Sequence, residues 1–218
     1  MNFADLNTLR PDLAFIAHWV GERAHVLDVG CGDGAMLRYL ESGKRCSGYG
    51  IEIADDKVLE STARGINVIQ HDMEKGLGLF GDNTFDTVLC LNSLQMMQHV
   101  EGLLRDIVRV GHEAIVSFPN FAHWPHRLAL LRGRMPVSRA LPYQWYDTPN
   151  VRCATIYDFQ ELAVECGLEV LECVALADGK VVKFLPNLRG SMAVFRLRKK
   201  APPAVYGGAG CDLCALAA

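Results

Sequence analysis

The stretch Val26-Leu-Asp-Val-Gly-Cys-Gly-Asp-Gly34 decides the fold, because it joins a short apolar strand to a glycine-rich turn and a helix. The strand is predicted over residues 25–29 and the helix around residues 35–40. In an open α/β sheet, ligands bind beyond the carboxyl ends of the strands, where glycines let the backbone turn tightly and approach a ligand closely. The stretch therefore predicts an α/β sheet with a ligand site after its first strand.

Outward from this stretch, apolar runs of strand length alternate with helical patterns. Further strands are predicted at residues 46–53, 67–71, 85–91, 114–118, 168–176 and 191–198, and further helices near residues 11–20, after 55, and at 99–110 and 157–166. Such alternation is typical of a parallel sheet covered on both faces, and right-handed crossovers make that sheet doubly wound. We predict an α/β fold with a single doubly wound, mostly parallel sheet, whose last two strands pair antiparallel.

The alternation pauses between residues 120 and 150, which hold four prolines and a dense group of aromatic side chains. We interpret this stretch as a cap or partner segment inserted into one domain over residues 1–200. After Lys200 the composition changes to APPAVYGGAG, which predicts a flexible tail over residues 201–218. Cys211 and Cys214 form a lone CxxC in that tail, without the further ligands that a structural zinc site needs.

Composition and charge exclude several classes of function. The 218 residues are 50% hydrophobic and 22% charged, with a formal net charge of −3, so the chain is neither disordered nor a binder of polyanions by bulk charge. Residues 114–146 nevertheless contain no Asp or Glu, while Arg127, Arg132, Arg134 and Arg139 lie there. This local excess of positive charge predicts a solvated face, an anion site or a partner surface. Four arginines without a nucleic-acid module argue against RNA binding.

The eight cysteines are interpreted as reduced. The first residues show no basic region followed by an apolar one, and no apolar run approaches the length of a membrane span. We therefore expect a cytoplasmic protein without membrane association, in which several cysteines fill the interior as small hydrophobic residues.

The charge of the glycine turn bears on its ligand. Gly30, Gly32 and Ala35 satisfy the dinucleotide pattern GxGxxA, so spacing alone leaves a nicotinamide cofactor open. Asp28 and Asp33 flank the glycines, however, and two carboxylates disfavour a pyrophosphate. A ligand with a cationic end suits Asp28 better. Asp33 fits equally well as a cap of the following helix.

Further polar residues end the neighbouring strands. Glu52 follows Gly32 by 20 residues and ends the second strand, where an acid can accept both hydroxyls of a ribose. Asp72 ends the third strand and is predicted to accept from an adenine amino group or to serve as a turn carboxylate. Asn92 and Ser93 follow the fourth strand and are expected to face the same cleft. The complete set of predicted cofactor-binding residues is Asp28, Gly30, Cys31, Gly32, Glu52, Ile53, Asp72, Met73 and Asn92.

This arrangement of an acid-led glycine loop with acids after strands two and three resembles the class I S-adenosylmethionine-dependent methyltransferases. The likeness is closer to the MetW family, through Ile115-Val-Ser-Phe-Pro-Asn-Phe121, Gly133-Arg-Met-Pro-Val-Ser138 and Leu141-Pro-Tyr-Gln-Trp-Tyr-Asp-Thr-Pro-Asn150. It extends over roughly residues 10–198, and the segment 95–100 is less typical of the family. The resemblance implies seven strands with the last antiparallel, and S-adenosylmethionine or S-adenosylhomocysteine as cofactor.

The resemblance also implies a role in methionine biosynthesis beside homoserine O-acyltransferase (MetX), without an established methyl acceptor. Two interpretations follow: a partner or regulatory module that binds the cofactor, which we favour, or an active small-molecule methyltransferase. The candidate partner or acceptor side is Arg127, Arg132, Arg134, Tyr143, Trp145 and Tyr146, with His123, His126 and Asp147 as further acceptor-side candidates. No side chain stands out as a general base, and no metal site is predicted, because His123 and His126 are three residues apart with Pro125 between them.

Overall fold

The computed structural model describes residues 9–201. The predicted tail and its CxxC lie outside them, apart from Ala201. The strands are β1 (His25–Val29), β2 (Ser47–Glu52), β3 (Val68–Gln70), β4 (Phe85–Leu91), β5 (Gly111–Pro119), β6 (Leu168–Ala177), β7 (Lys180–Val181) and β8 (Met192–Lys199). The helices are α1 (Pro11–Ala17), α2 (Ala35–Lys44), α3 (Asp55–Ala63), α4 (Val100–Val110), α5 (Trp124–Leu131), α6 (Ile156–Glu165) and α7 (Pro186–Arg189).

All of these strands belong to one sheet with the order β3-β2-β1-β4-β5-β8-β6-β7. The pairs among β1 to β5 are parallel, whereas β8 runs antiparallel to both β5 and β6. The predicted α/β class, the mostly parallel sheet and the antiparallel last strand are confirmed. The order reverses beside β1, and ligands of open α/β sheets bind at such a switch point.

Two hydrophobic cores cover the two faces of the sheet. On one face, Ile16 of α1 and Leu37 and Leu40 of α2 pack against β1 and its neighbours. On the other, α4 and α6 pack through residues such as Leu104 and Phe159. The two faces alternate along each strand, so that Val26 faces the first core while Leu27 faces the second.

The structure adds elements to the predicted pattern. An eighth strand, β7, has only two residues and forms a hairpin with β6 at the sheet edge. The pause over residues 120–150 contains α5, which begins with Pro125 in its first turn and buries only His126 fully. A short helix with so little buried surface leaves almost no periodic signal in the sequence.

Backbone hydrogen bonds hold both ends of the segment 120–150 against neighbouring parts of the chain. The Phe121 N–H donates to the Ala154 carbonyl at 2.9 Å, and the Val151 and Arg152 N–H groups both donate to the Gln95 carbonyl at 3.0 Å. These hydrogen bonds join the ends of the segment to the residues that precede α6 and to those that follow β4.

Candidate functional site

The glycine turn is held against the end of β2. The Gly30 and Cys31 N–H groups both donate to the Ile51 carbonyl, at 2.9 and 3.0 Å. Gly30 has a φ of +79° and Gly32 a φ of +55°, a region that side-chain-bearing residues adopt only with strain. The buried Cys31 side chain turns inward instead, and burial raises the pKa of its thiol to about 12. Cys31 thus packs as a neutral thiol rather than acting as a nucleophile.

Gly30 is the point where three parts of the chain meet. A Cβ atom built there would overlap the Ser93 hydroxyl and lie 3.1 Å from the Met73 Cε atom. The residues after β3 and β4 therefore close on the turn after β1, and the Ser93 side chain lies beside Gly30. Only glycine leaves room for this approach.

Glu52 ties the glycine turn to the end of β2. Its Oε2 atom accepts from the Gly32 N–H at 2.9 Å, and its Oε1 atom accepts from the Ile53 and Ala54 N–H groups at 2.8 and 3.0 Å. A carboxylate has about four acceptor positions, so one remains for a ligand hydroxyl. This carboxylate both shapes the turn and borders the cleft.

Asp28 lies one residue before the end of β1 and is almost fully buried, with 2% of its surface exposed. Its Oδ1 atom has no hydrogen-bond partner among the described residues. Burial, followed by the negative charge of Glu52, raises the pKa of this carboxyl to about 7. A buried acid that lacks a donor is typical of a site that binds a donor or a cation.

The other predicted cofactor residues border the same edge of the sheet. The Asp72 Oδ1 atom accepts from the Glu74 N–H at 3.0 Å and caps a 3-10 turn over Met73–Lys75, and Met73 is buried while Ile53 is exposed. Asn92 has a φ of +55° and donates its N–H to the Ser117 carbonyl. The Asn92 Oδ1 atom is buried and, like Asp28 Oδ1, lacks a partner in residues 9–201.

Asp33 has a structural role at the start of α2. Its Oδ1 atom accepts from the Ala35 N–H at 3.2 Å, and its Oδ2 atom forms an ion pair with Arg64 at 2.7 Å. Burial works to raise the pKa of Asp33, but these bonds and the Arg64 charge outweigh it and lower the pKa. The cap of α2 is Gly34, so Asp33 is not the helix cap itself but stabilises the turn one residue before it.

The candidate partner or acceptor side lies largely on the surface. Tyr143, Trp145 and Tyr146 are exposed, Trp145 by 71%, so they do not pack as core. Arg127, Arg132 and Arg134 form no ion pair within the described residues, although Arg127 Nε donates to the Ala122 carbonyl at 2.6 Å. The Arg139 Nη1 atom is 3.6 Å from the Asp178 Oδ1 atom.

The two histidines of this segment are half-buried (His123) and buried (His126), and the Nδ1 atom of each lacks a hydrogen-bond partner among the described residues. His126 is buried and its Nε2 atom is 2.9 Å from the Ser138 hydroxyl. Burial lowers the pKa of both His123 and His126, so both rings are neutral at pH 7. Residues 9–201 contain no group of three or more His, Cys, Asp or Glu side chains that could hold a metal ion.

Sequence reasoning missed one feature beside the cleft, a cavity of about 600 Å³ between α4 and α6. Gln95, Arg152 and Phe159 are among its lining residues. The segment 95–100 is atypical of the family, so the resemblance assigned no role to its residues. The one feature of the sequence that hints at this cavity is the mixture of polar and apolar residues after β4.

Comparison with solved structures defines the class of protein. An S-adenosylmethionine-dependent methyltransferase from Mesorhizobium loti has a TM-score of 0.67 at 16% identity, covering 89% of this chain and 100% of that one. Another, from Thermotoga maritima, has a TM-score of 0.64 at 19% identity, covering 91% of this chain and 90% of that one. With the observed strand order, these likenesses establish the fold of the class I methyltransferases.

The family is narrower than this class. Residues 10–197 match the model of the family described as methionine biosynthesis protein MetW, and the chain belongs to that family. The bifunctional methionine biosynthesis protein MetXA/MetW of Rhodopirellula baltica is 36% identical over 165 residues, 71% of this chain and 26% of that protein. The O-methyltransferase resE of Aspergillus sclerotiorum is 27% identical over 173 residues, 74% of this chain and 61% of that protein. The chain thus spans about a quarter and about three fifths of these two relatives. In the described part of the chain, each helix is too short or too polar to cross a bilayer.

Proposed function

We propose that this chain binds S-adenosylmethionine or S-adenosylhomocysteine in the cleft after β1, β2 and β4, and that it acts as a partner or regulator of homoserine O-acyltransferase (MetX). The observation that carries the cofactor assignment is the buried Asp28 carboxyl with its unpartnered Oδ1 atom beside the glycine turn. Both cofactor forms carry an ammonium group that such a carboxylate can accept from. A dinucleotide would instead bring a pyrophosphate toward Asp28 and Glu52, which is electrostatically unfavourable.

The chain's own residues suit the remaining parts of this ligand. Glu52 has one acceptor position left for a ribose hydroxyl, and the buried Met73 and exposed Ile53 offer apolar surface for an adenine ring. Asp72 has one carboxylate oxygen engaged with the Glu74 N–H and another for the adenine amino group. S-adenosylmethionine bound in this way would supply a sulfonium methyl group, whereas S-adenosylhomocysteine has none to give. The contribution of the protein is to position the ligand and to exclude water from it.

The partner role rests on the segment over residues 120–150. Interfaces are enriched in aromatic and arginine side chains and depleted in lysine and acids. Residues 118–146 contain no Lys, Asp or Glu, and their exposed residues include Trp124, Leu131, Trp145 and Tyr146. The relative from Rhodopirellula baltica, whose printed name joins MetXA with MetW, supports an acyltransferase as the partner.

Gly32→Ala tests the cofactor cleft, with Gly65→Ala as a matched control. Both glycines have a positive φ, and an added Cβ at either meets no atom within 4 Å. Each change should therefore destabilise the fold by a similar amount, about 1–2 kcal/mol. Only Gly32 borders the cleft, so only Gly32→Ala should weaken S-adenosylhomocysteine binding, by about tenfold or more in calorimetry. Substituting Glu52 is less clean, because it would also release the Gly32, Ile53 and Ala54 N–H groups.

Equal affinities of the two glycine variants, at equal melting temperatures, would place the ligand elsewhere. Affinity of the unmodified chain for NAD but not for S-adenosylhomocysteine would restore the dinucleotide alternative. Turnover of S-adenosylmethionine with a small-molecule acceptor, without any complex with the acyltransferase, would favour the alternative of an active methyltransferase.

A further inference from the structure

The cavity between α4 and α6 is separate from the proposed cofactor cleft. Its buried lining residues Leu94, Phe118 and Phe159 belong to the core on the α4 and α6 face, whereas Cys31 and α2 pack on the opposite face. None of the nine predicted cofactor residues lines it. With a volume of about 600 Å³, it falls in the range of small-molecule sites.

The buried side chains that line the cavity are apolar and packed against the core, with one polar exception. Phe118 and Phe159 lie 4.9 Å apart between ring centroids, and both contact Phe195. Gln95 also lines the cavity and is 7% exposed. Its Nε2 atom donates to the Asn92 carbonyl at 2.7 Å, while its Oε1 atom has no partner within the described residues. A buried amide oxygen without a donor favours a ligand that brings an N–H or O–H group.

Both acidic side chains that line the cavity, Glu101 and Asp158, already have partners, and so does one of its two arginines. Glu101 pairs with Arg105 at 3.1 Å, and His99 pairs with Glu74 at 3.0 Å. Asp158 accepts from the Thr155 hydroxyl at 2.8 Å in the first turn of α6, where the helix dipole stabilises its charge.

Arg152 is the remaining lining cation. Its guanidinium donates to the Gln98 carbonyl at 2.9 Å, and it forms no ion pair in the part of the chain that the structure describes. An acidic group of a ligand would give this guanidinium the partner that it lacks.

We propose that this cavity is a second ligand site, for a small molecule with an apolar, ring-sized body, an N–H or O–H donor toward Gln95 and an acidic group toward Arg152. The inference is independent of the proposed function, since it uses neither the cofactor residues nor the segment over residues 120–150. A molecule bound there would contact the residues that follow β4, and through the Gln95 to Asn92 hydrogen bond would lie next to the cofactor cleft.

The test uses 1-anilinonaphthalene-8-sulfonate, which combines an apolar body, an N–H donor and a sulfonate and fluoresces in apolar surroundings. Leu162→Trp fills the cavity from α6, and Val164→Trp on the exposed side of the same helix is its matched control. Leu162→Trp should lower the affinity by about tenfold or more, and Val164→Trp should leave it unchanged. Arg152→Gln should lower it by about two- to fivefold, whereas Arg23→Gln, at an exposed arginine that precedes β1, should not.

Protection of a thiol gives a second measurement that needs no variant. Cys153 lines the cavity and is exposed, and Cys173 is exposed elsewhere on the sheet. The bound probe should slow alkylation of Cys153, read by peptide mass spectrometry, but not that of Cys173. Equal alkylation rates with and without the probe, or unchanged binding to folded Leu162→Trp, would overturn the site. Unchanged binding to Arg152→Gln would overturn the anionic class of the ligand, and displacement by S-adenosylhomocysteine would assign the probe to the cofactor cleft instead.

Discussion

Asp28→Asn should lower the affinity for S-adenosylhomocysteine by about ten- to a hundredfold while making the stability of the fold less dependent on pH. The loss of affinity follows from removing a charged acceptor from the ligand ammonium, worth about 1.5–3 kcal/mol. The affinity of the unmodified chain should rise between pH 6 and 8, because the pKa of Asp28 is raised to about 7 by burial and by Glu52, and the carboxylate forms only over that window. The variant should lack this rise.

The stability of the fold depends on pH in the opposite direction to the ligand affinity. In the unfolded chain Asp28 loses its proton near pH 3.8, whereas in the folded chain it keeps the proton up to a pH of about 7. The folded state therefore binds more protons between pH 4 and 7, and its stability falls as the pH rises through that window. The loss of stability over this window is on the order of 3–4 kcal/mol, or about 6–16 °C in melting temperature.

Asn has no proton to lose, so the melting temperature of the variant relative to the unmodified chain should rise between pH 4 and 8. Asp56→Asn, an exposed change on α3, is the control and should follow the unmodified chain. Parallel melting curves of Asp28→Asn and the unmodified chain across this range would contradict the assignment of a buried, protonated carboxyl.

The double variant Arg132→Glu with Arg134→Glu should slow association with the acyltransferase by about tenfold or more at low ionic strength. Both arginines are exposed at the end of α5 and form no ion pair within residues 9–201. Unpaired charges near an interface act mainly on the association rate, and salt screens them, so the defect should shrink in about 0.5 M salt. Surface plasmon resonance at two salt concentrations measures this.

The matched control is Arg23→Glu with Arg45→Glu, two exposed arginines that precede β1 and β2. Because α5 follows the carboxyl end of β5, the control pair lies at the opposite edge of the sheet. Equal effects of the two double variants would show only a general effect of net charge. Loss of S-adenosylhomocysteine affinity in the α5 variant alone would instead favour a substrate lid.

The parts of the fold that depend on strong periodicity could be predicted from the sequence. Strands β1 and β4 match the predicted bounds, since each is a dense apolar run bounded by glycine or polar residues. Helix α5 was not predicted, because it buries only His126 fully and carries a proline at its start. Strand β7 has two residues and depends on its hairpin with β6, a tertiary contact that local sequence does not encode.

The candidate site divides in the same way. The positions of Gly30, Glu52 and Ser93 around one cleft follow from strand ends that meet at one edge of a parallel sheet. The sequence could not reveal that Asp28 lacks a donor or that Glu52 raises its pKa, because both facts depend on burial and on distances between strands. The cavity beside Gln95 is lined by residues of both α4 and α6, which are far apart in the sequence and come together only in the folded chain.

The most direct test of the central claim is sedimentation velocity on the purified chain mixed with the homoserine O-acyltransferase of the same organism. At about 10 µM of each protein, with S-adenosylhomocysteine present, we expect a single faster-sedimenting complex that the Arg132→Glu, Arg134→Glu variant forms less readily at low salt. The contrary result would be two species that sediment independently at this concentration, together with transfer of the cofactor's methyl group to a small molecule by the same chain. That result would contradict the partner role.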